Sequence, residues 1–248
     1  MPLTGKIALI TGVSGGVGSA VARWLADQGM TVIGTYNGTV PAVDESGKSG
    51  GQIHFVQLDQ RSPASIEALA EVVSQRHECL DLLVNNAAWN VGIPFNDLDG
   101  LTPELWDKVL ETNLRGPFLM ARALAPLLKA HGRGRIVNIS SVAGVAPMGS
   151  SIAYASGKAG LNHLTRCLAV AMAPDVAVNC IALGLVENTK MANRSMNQDG
   201  QKALRKNVLL GRNVQLDDVC SQVLTFLNST SITGQTVVID GGIVAALH

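Results

Sequence analysis

Two side chains able to handle a proton stand four residues apart in "YASGK": the phenol of Tyr154 and the ammonium group of Lys158. On a helix, a spacing of four puts both on one face. A free phenol, with a pKa of about 10, is a poor acid or base at neutral pH. An adjacent Lys⁺ favours phenolate and is expected to draw that pKa toward the working range, where proton transfer is most effective. The spacing alone is a weak signal, because a Tyr and a Lys four apart occur by chance in many helices.

Three further features bear on the pair. Ser140 and Ser141 follow the apolar run "RIVNI", at the C-terminal end of a strand candidate, where open α/β sheets bind ligands. Asn113, in "ETNLRG", falls inside a segment of helical period, a mildly unfavourable place for an Asn. The third is "TGVSGGVG", Thr11 to Gly18, set between an apolar run and the helical "SAVARWLADQG". Its glycines would let the backbone turn tightly against a pyrophosphate, whose charge the exposed N–H groups of a helix start favour.

The elements that must position these residues alternate along the chain. Strands are predicted at Lys6–Ile10, Thr31–Gly34, Ile53–Leu58, Asp81–Val84, Arg135–Ile139, Val176–Ile181 and Gln235–Asp240. None shows clean polar alternation, which suits strands covered on both faces. Helices are predicted at Gly16–Gln28, Pro63–Arg76, Thr102–Lys129, Ala153–Ala173 and Leu216–Leu227, with Ser62 and Thr102 as caps. Such alternation means β-α-β units and a parallel sheet in one doubly wound domain spanning residues 1–248. Two stretches interrupt it: Asn37 to Gln52, read as a loop where a helix might stand, and Gly184 to Asn213, read as a lid over the site.

Bulk composition narrows the function classes. The chain is 47% hydrophobic and 15% charged, with 19 basic residues balancing 19 acidic ones, so no overall field attracts nucleic acid or an anionic membrane. Cys79, Cys167, Cys180 and Cys220 are scattered, without metal spacing, and read as structural thiols. The start "MPLTGKIALITG" is not of signal-peptide type, and the longest apolar zone is broken by Pro174, Asp175 and Asn179. A cytoplasmic protein with a small-molecule ligand and no metal is expected.

With these motifs in this order, the chain resembles the short-chain dehydrogenase/reductase family, whose glycine motif reads T-G-x-x-x-G-x-G. The similarity runs nearly end to end, from "GKIALITG" to "GQTVVIDGG", and is nearest in pattern to the β-ketoacyl-acyl-carrier-protein-reductase-like branch. It implies a Rossmann-type seven-stranded sheet and NAD(P)(H) as cofactor. The family's catalytic Ser lies thirteen residues ahead of its Tyr, which implies Ser141 rather than Ser140. Tyr154 would then be the general acid/base in hydride transfer between a secondary alcohol and a ketone. Lys158 would also bind the nicotinamide ribose, Ser141 would hold the substrate oxygen, and Asn113 would keep a water in a proton relay.

The resemblance further implies cofactor contacts from Gly12, Ser14, Gly15, Gly16, Val17 and Gly18, and from Asn37 after the second strand. Asp59 would meet the adenine, beside Gln60. Asn86 and Ala87 of "NNAA" would lie against the cofactor, as would Tyr154 and Lys158. After the sixth strand, Gly184, Val186 and Thr189 complete the set, with Asn188 and Thr189 both open for the polar contact near the nicotinamide amide. The small Ala155, Ser156 and Gly157 would let the cofactor lie close. The second strand ends "GTYNG" with no acid to grip a ribose 2′-hydroxyl, which leans toward NADP(H) over NAD(H). Two positions depart from the family pattern: Ala88 replaces a glycine, and Leu183 replaces a proline whose ring would stiffen the backbone.

For the substrate, small cyclic or polyol-type ketones rank at least equal to β-ketoacyl thioesters. The thioester reading expects a basic docking patch, with Lys129, Arg133 and Arg135 as candidates. Trp89, Met148, Ile152 and Met191 are candidate pocket walls. A catalytically silent nucleotide-binding regulatory protein is the alternative of another class, since fold alone permits it. Relatives imply a homotetramer built through the two long helices and the C-terminal strand.

Overall fold

The computed structural model describes residues 3–41, 46–186, 189, 191, 192, 197, 199, 200 and 205–246. Its strands are β1 (Ile7–Thr11), β2 (Thr31–Tyr36), β3 (Gln52–Gln57), β4 (Leu82–Asn85), β5 (Gly134–Ser141), β6 (Val176–Leu183) and β7 (Thr236–Ile239). They form one seven-stranded sheet in the order β3-β2-β1-β4-β5-β6-β7. Every pairing is parallel. Each predicted strand is present, with ends shifted by a residue or two.

The helices that flank the sheet are α1 (Gly16–Asp27), α2 (Pro63–Arg76), α3 (Pro103–Leu110), α4 (Gly116–Lys129), α5 (Ile152–Met172) and α6 (Leu216–Asn228). They cover the sheet from both sides, which explains the unbroken apolar runs. Ala8, Ile10, Leu82, Val84, Val137 and Ile139 pack with Val21, Leu25, Val223 and Phe226 of α1 and α6. Their chain neighbours Leu9, Leu83 and Ile136 point the other way, against Leu69 of α2, Leu124 of α4 and Met172 of α5. Alternate residues of one strand thus serve two cores.

One predicted helix is interrupted. The Thr102–Lys129 segment is α3 and α4 joined by a π-turn at Glu111–Arg115, in which the Gly116 N–H bonds to the Glu111 carbonyl. Pro117 is the physical cause: it has no N–H for the Asn113 carbonyl four residues back, and its ring crowds that carbonyl. In the Asn37–Gln52 stretch no helix stands among the described residues; Gly47 and Gly51 lie directly against the Ala26 carbonyl, with no room for a Cβ.

Strand order reverses between β1 and β4, so the loops leaving their C-terminal ends diverge and open a crevice there. β5 ends beside it. Thr11, Asn85 and Ser141 are the last residues of these three strands. The candidate residues therefore converge on one edge of the sheet.

Candidate active site

The glycine stretch turns from β1 into α1 under steric limits that only glycine meets. Gly12 has φ 75°, and a Cβ there would lie 2.8 Å from Ala87 Cα. A Cβ at Gly18 would collide with the Asn86 side-chain amide and the Gly12 carbonyl. Asn86 secures this approach by donating from Nδ2 to the carbonyls of Thr11 (2.8 Å) and Gly12 (3.1 Å). The Thr11 hydroxyl accepts from the N–H groups of Asn86 and Ala87, at 3.0 and 2.9 Å. Thr11, whose role sequence reasoning left unassigned, is the pin between the β1 and β4 loops.

Helix α1 starts differently from α2, α3 and α5. Ser62, Thr102 and Ser151 cap α2, α3 and α5 by accepting from the N–H of Ser65, Leu105 and Tyr154. At α1 the cap position is Gly15, no side chain accepts from the first turn, and that turn holds no acid. An anionic group can take those donors, and the residues present fit a dinucleotide pyrophosphate. Ser14 donates its hydroxyl to the Thr39 carbonyl at 3.0 Å, tying this loop to the segment after β2.

Two expected adenine-side contacts are committed within the protein. Asp59 forms a two-pronged pair with Arg61, Nε to Oδ1 at 3.1 Å and Nη2 to Oδ2 at 2.8 Å, which holds the carboxyl below the usual carboxylate range. Gln60 donates Nε2 to the main-chain carbonyls of Ala87 and Thr112, at 3.0 and 2.7 Å. The Asn37 carbonyl accepts from Gln57 at 3.0 Å.

At the end of β5, Ser140 and Ser141 separate. Ser140 is buried and donates to the Lys158 main-chain carbonyl at 3.2 Å, so it fastens α5 to the strand. Ser141 lies beside the Tyr154 hydroxyl and lowers its pKa, while its Oγ accepts from the Ala143 N–H at 3.2 Å. Lys158 lies beneath, 3% exposed, with Nζ donating to the Ile139 carbonyl at 2.8 Å and standing 5.7 Å from the Tyr154 ring centroid. Tyr154, Lys158 and Ser141 are thus brought together.

The electrostatics correct one expectation. Burial pushes the Tyr154 hydroxyl up to about 12, and Ser141 beside it offsets only part of that. Burial also pulls Lys158 down to about 8, with the neighbouring Cys180 acting weakly the other way. The phenol is therefore not brought into the neutral range here: desolvation dominates, and the lowering influence on it comes from Ser141. At neutral pH the phenol is protonated and the amine charged.

Asn113 sits in the π-turn, fully buried. Its side chain holds the Trp89 backbone from both sides, accepting from the N–H at 3.1 Å and donating to the carbonyl at 2.7 Å. The Trp89 ring carries Lys108 Nζ at 4.1 Å and packs with Val109, Ala153 and Tyr154. At Gly157 a Cβ would stand 3.3 Å from Leu110 and 3.8 Å from Asn113, so its smallness seats α5 on the π-turn. Ala155 packs beside Trp89, and Ser156 is exposed.

Past β6, Leu183 is the last ladder residue, paired with Ile239, and Gly184 donates to the Ile239 carbonyl at 2.8 Å. Thr189 donates to the Val186 carbonyl at 3.0 Å, and its methyl would lie 3.3 Å from a Cβ on Gly16. Met191 Sδ is 3.8 Å from the Tyr154 hydroxyl, whereas Met148 packs with Val142, Val208 and Ile243. Asn188, and much of the expected lid (187, 190, 193–196, 198 and 201–204), lies outside the described residues. The basic patch does not form at the site. Arg133 and Arg135 stand at the start of β5, about 23 Å along the strand from Ser141. Arg135 is half-buried, donating to the Ser229 carbonyl at 2.8 Å.

Residues that sequence reasoning missed form a buried polar ladder below the site. Asn85 donates to Asn138 (2.9 Å), Asn138 to Thr165 (2.9 Å) and Thr165 to the Leu161 carbonyl (2.9 Å). A signal existed: Asn is disfavoured within strands, yet one stands in each of the apolar runs of β4 and β5.

A doubly wound parallel sheet with a glycine-built, acid-free helix start at its crevice defines a dinucleotide-binding α/β protein. The chain belongs to the short-chain dehydrogenase family, whose model matches residues 6–200. It is 35% identical over 250 residues to the 3-oxoacyl-[acyl-carrier-protein] reductase of Escherichia coli, covering 98% of each chain. Among solved structures it is similar to levodione reductase (TM-score 0.85, 26% identity, 98% of this chain and 99% of that one). The Pseudomonas aeruginosa RhlG/NADP active-site complex is also similar, with TM-score 0.84, 28% identity and coverage of 98% and 99%. Among the described residues no helix is long and apolar enough to cross a membrane, and no cluster of His, Cys, Asp and Glu suits a metal.

Proposed function

We infer that this oxidoreductase-family chain interconverts a secondary alcohol and a ketone, with NADP(H) favoured over NAD(H). The observation that carries the reading is the buried Tyr154, with Ser141 beside its hydroxyl and Lys158 Nζ 5.7 Å from its ring, at the strand ends that flank the crevice. A reduced nicotinamide bound there would supply hydride to the carbonyl carbon. Ser141 orients the carbonyl oxygen, and Tyr154 donates its proton as charge develops on that oxygen. The Lys158 ammonium, held by the Ile139 carbonyl, stabilises the phenolate left behind. Asn113 fixes the Trp89 backbone, and its own carbonyl, denied a helical donor by Pro117, accepts from a water that returns the proton.

Several features support the cofactor assignment. Glycines at 12 and 18 and the bare α1 start suit the pyrophosphate. Thr35, Tyr36 and Asn37 present no acid to repel a 2′-phosphate, and the similar RhlG structure is an NADP active-site complex. The site-residue set is that of the resemblance except for Gln60, whose amide is committed to the Ala87 and Thr112 carbonyls, while Asp59 pairs with Arg61 on the adenine side. Of the expected lid, Met191 stands at the Tyr154 hydroxyl, which supports a substrate side there. The exposed Phe118 of α4 and Val170 of α5 support assembly of copies through these helices.

A second reading, reduction of a β-ketoacyl thioester, is favoured by the identity to the Escherichia coli 3-oxoacyl reductase. Oxidation of NADPH and NADH by the purified chain, with a cyclic diketone, ethyl acetoacetate and acetoacetyl-coenzyme A as acceptors, tests both. Turnover on none of them, with nucleotide bound, would instead identify a silent nucleotide-binding protein.

A further inference from the structure

The π-turn leaves the Thr112 carbonyl to be satisfied from outside its own helix. In a regular helix the Gly116 N–H would reach the Thr112 carbonyl; here it reaches Glu111, and residue 117 is a proline. Neither position can serve Thr112. Gln60 Nε2, on the loop leaving β3, reaches that carbonyl at 2.7 Å and the Ala87 carbonyl at 3.0 Å. Gln60 is 5% exposed, and Gly116 rests against it, since a Cβ there would lie 3.1 Å from Gln60 Cγ. Arg115 adds a parallel tie, donating to the Arg61 carbonyl at 3.1 Å.

Each segment that Gln60 holds leads to the reacting end. Ala87 precedes Trp89 by two residues, and Thr112 precedes Asn113, whose side chain grips the Trp89 backbone through two hydrogen bonds. One side-chain amide therefore sets the separation of the β4 loop and the π-turn. Hydrogen-bond donors are required at this point: a leucine supplies none, and a carboxylate would face two carbonyl oxygens.

We propose that Gln60 is a positioning residue for the reaction, acting through the Asn113–Trp89 contact rather than by gripping the nucleotide. The inference rests on the oxidoreductase reading above. It adds that loosening this bridge lowers turnover while leaving dinucleotide affinity in place. The charged groups around the bridge are Asp59 with Arg61 and Glu111 with Arg115, each paired.

The test uses the full chain, NADPH and ethyl acetoacetate, with Gln60→Leu and Gln60→Glu beside the parent. Gln60→Leu should lower kcat by about tenfold to a hundredfold, with the Kd for NADPH, read from nicotinamide fluorescence, changed less than about twofold. Gln60→Glu carries its own signature. A protonated carboxyl donates one hydrogen bond and an ionised one donates none, so its kcat should recover as pH falls toward about 5, near the carboxyl range. The parent should show no such recovery. A Kd that weakens in step with kcat, or a Gln60→Glu profile parallel to the parent's, overturns the proposal. A further readout needs no turnover: amide exchange at Trp89, bonded to Asn113, should be faster by about tenfold in the variants, and equal rates overturn the proposal. If Gln60→Leu does not fold, the Glu profile and Trp89 exchange decide. A parent that binds NADPH but reduces no ketone counts against the proposed function instead, leaving the exchange test to judge Gln60.

Discussion

The ends of β1 and β5 lie on either side of β4 and are built in opposite ways. At β1 the structure works by leaving atoms out: no Cβ at Gly12 or Gly18, no cap on α1 and no acid in its first turn. At β5 it works by putting polar atoms into a dry place, with Tyr154 and Lys158 buried and each shifted by that burial. The first end should therefore be sensitive to any added volume, and the second to the loss of a particular proton or charge.

The largest effect should come from Tyr154→Phe, which removes the proton donor and little else. Turnover should fall by about a thousandfold, with NADPH affinity nearly unchanged; retained turnover would remove Tyr154 from the mechanism. Gly18→Ala should behave in the reverse sense, weakening NADPH by roughly tenfold to a hundredfold through about 1–3 kcal/mol of overpacking against Asn86. A fluorescence titration showing parental affinity would break the contrast.

The pH profile separates the two ends further. On the proposed mechanism, reduction needs the phenol protonated and the lysine charged. Tyr154, at about 12, stays protonated across the ordinary range, while Lys158 loses its charge above about 8. Reduction rates should be level below that value and fall above it. Lys158→Met should abolish the limb, and a variant that keeps it would assign it elsewhere. Asn138→Leu should leave the Asn85 amide without its acceptor and cost about 1–3 kcal/mol. In a chain of this size that lowers Tm by about 2–4 °C per kcal/mol, and an unchanged melting curve would show the ladder to be dispensable. The smallest effect is expected from Asn37→Asp, which should shift preference from NADPH toward NADH by severalfold; an unmoved ratio would take the 2′-phosphate away from this loop.

What could be read from the chain divides along the same line. Strands and helices were legible because two-sided burial writes continuous apolar runs, and because Ser62 and Thr102 mark helix starts. The glycine turn was legible because steric exclusion leaves a spacing. Hydrogen bonds between distant residues leave no such trace. Nothing near Gln60 announces that its amide will meet Thr112, and Ser140 and Ser141 look alike until α5 packs against the strand. The effect of burial on Tyr154 was also beyond reach, since the spacing to Lys158 says nothing of how dry the place would be. The π-turn was partly within reach, because Pro117 stands four residues past Asn113 and forbids the regular bond.

That proline has a consequence for how the site could have been assembled. Pro117 denies the Asn113 carbonyl its regular helical donor through the covalent make-up of the main chain, not through a flexible side chain. A main-chain acceptor has no rotamers to lose on ordering and cannot be altered by substituting the residue that carries it. Asn113 could be exchanged and the carbonyl would remain, while changing Pro117 would restore a donor and let an ordinary turn form. The most durable polar group at the reacting end is thus encoded one turn away from it.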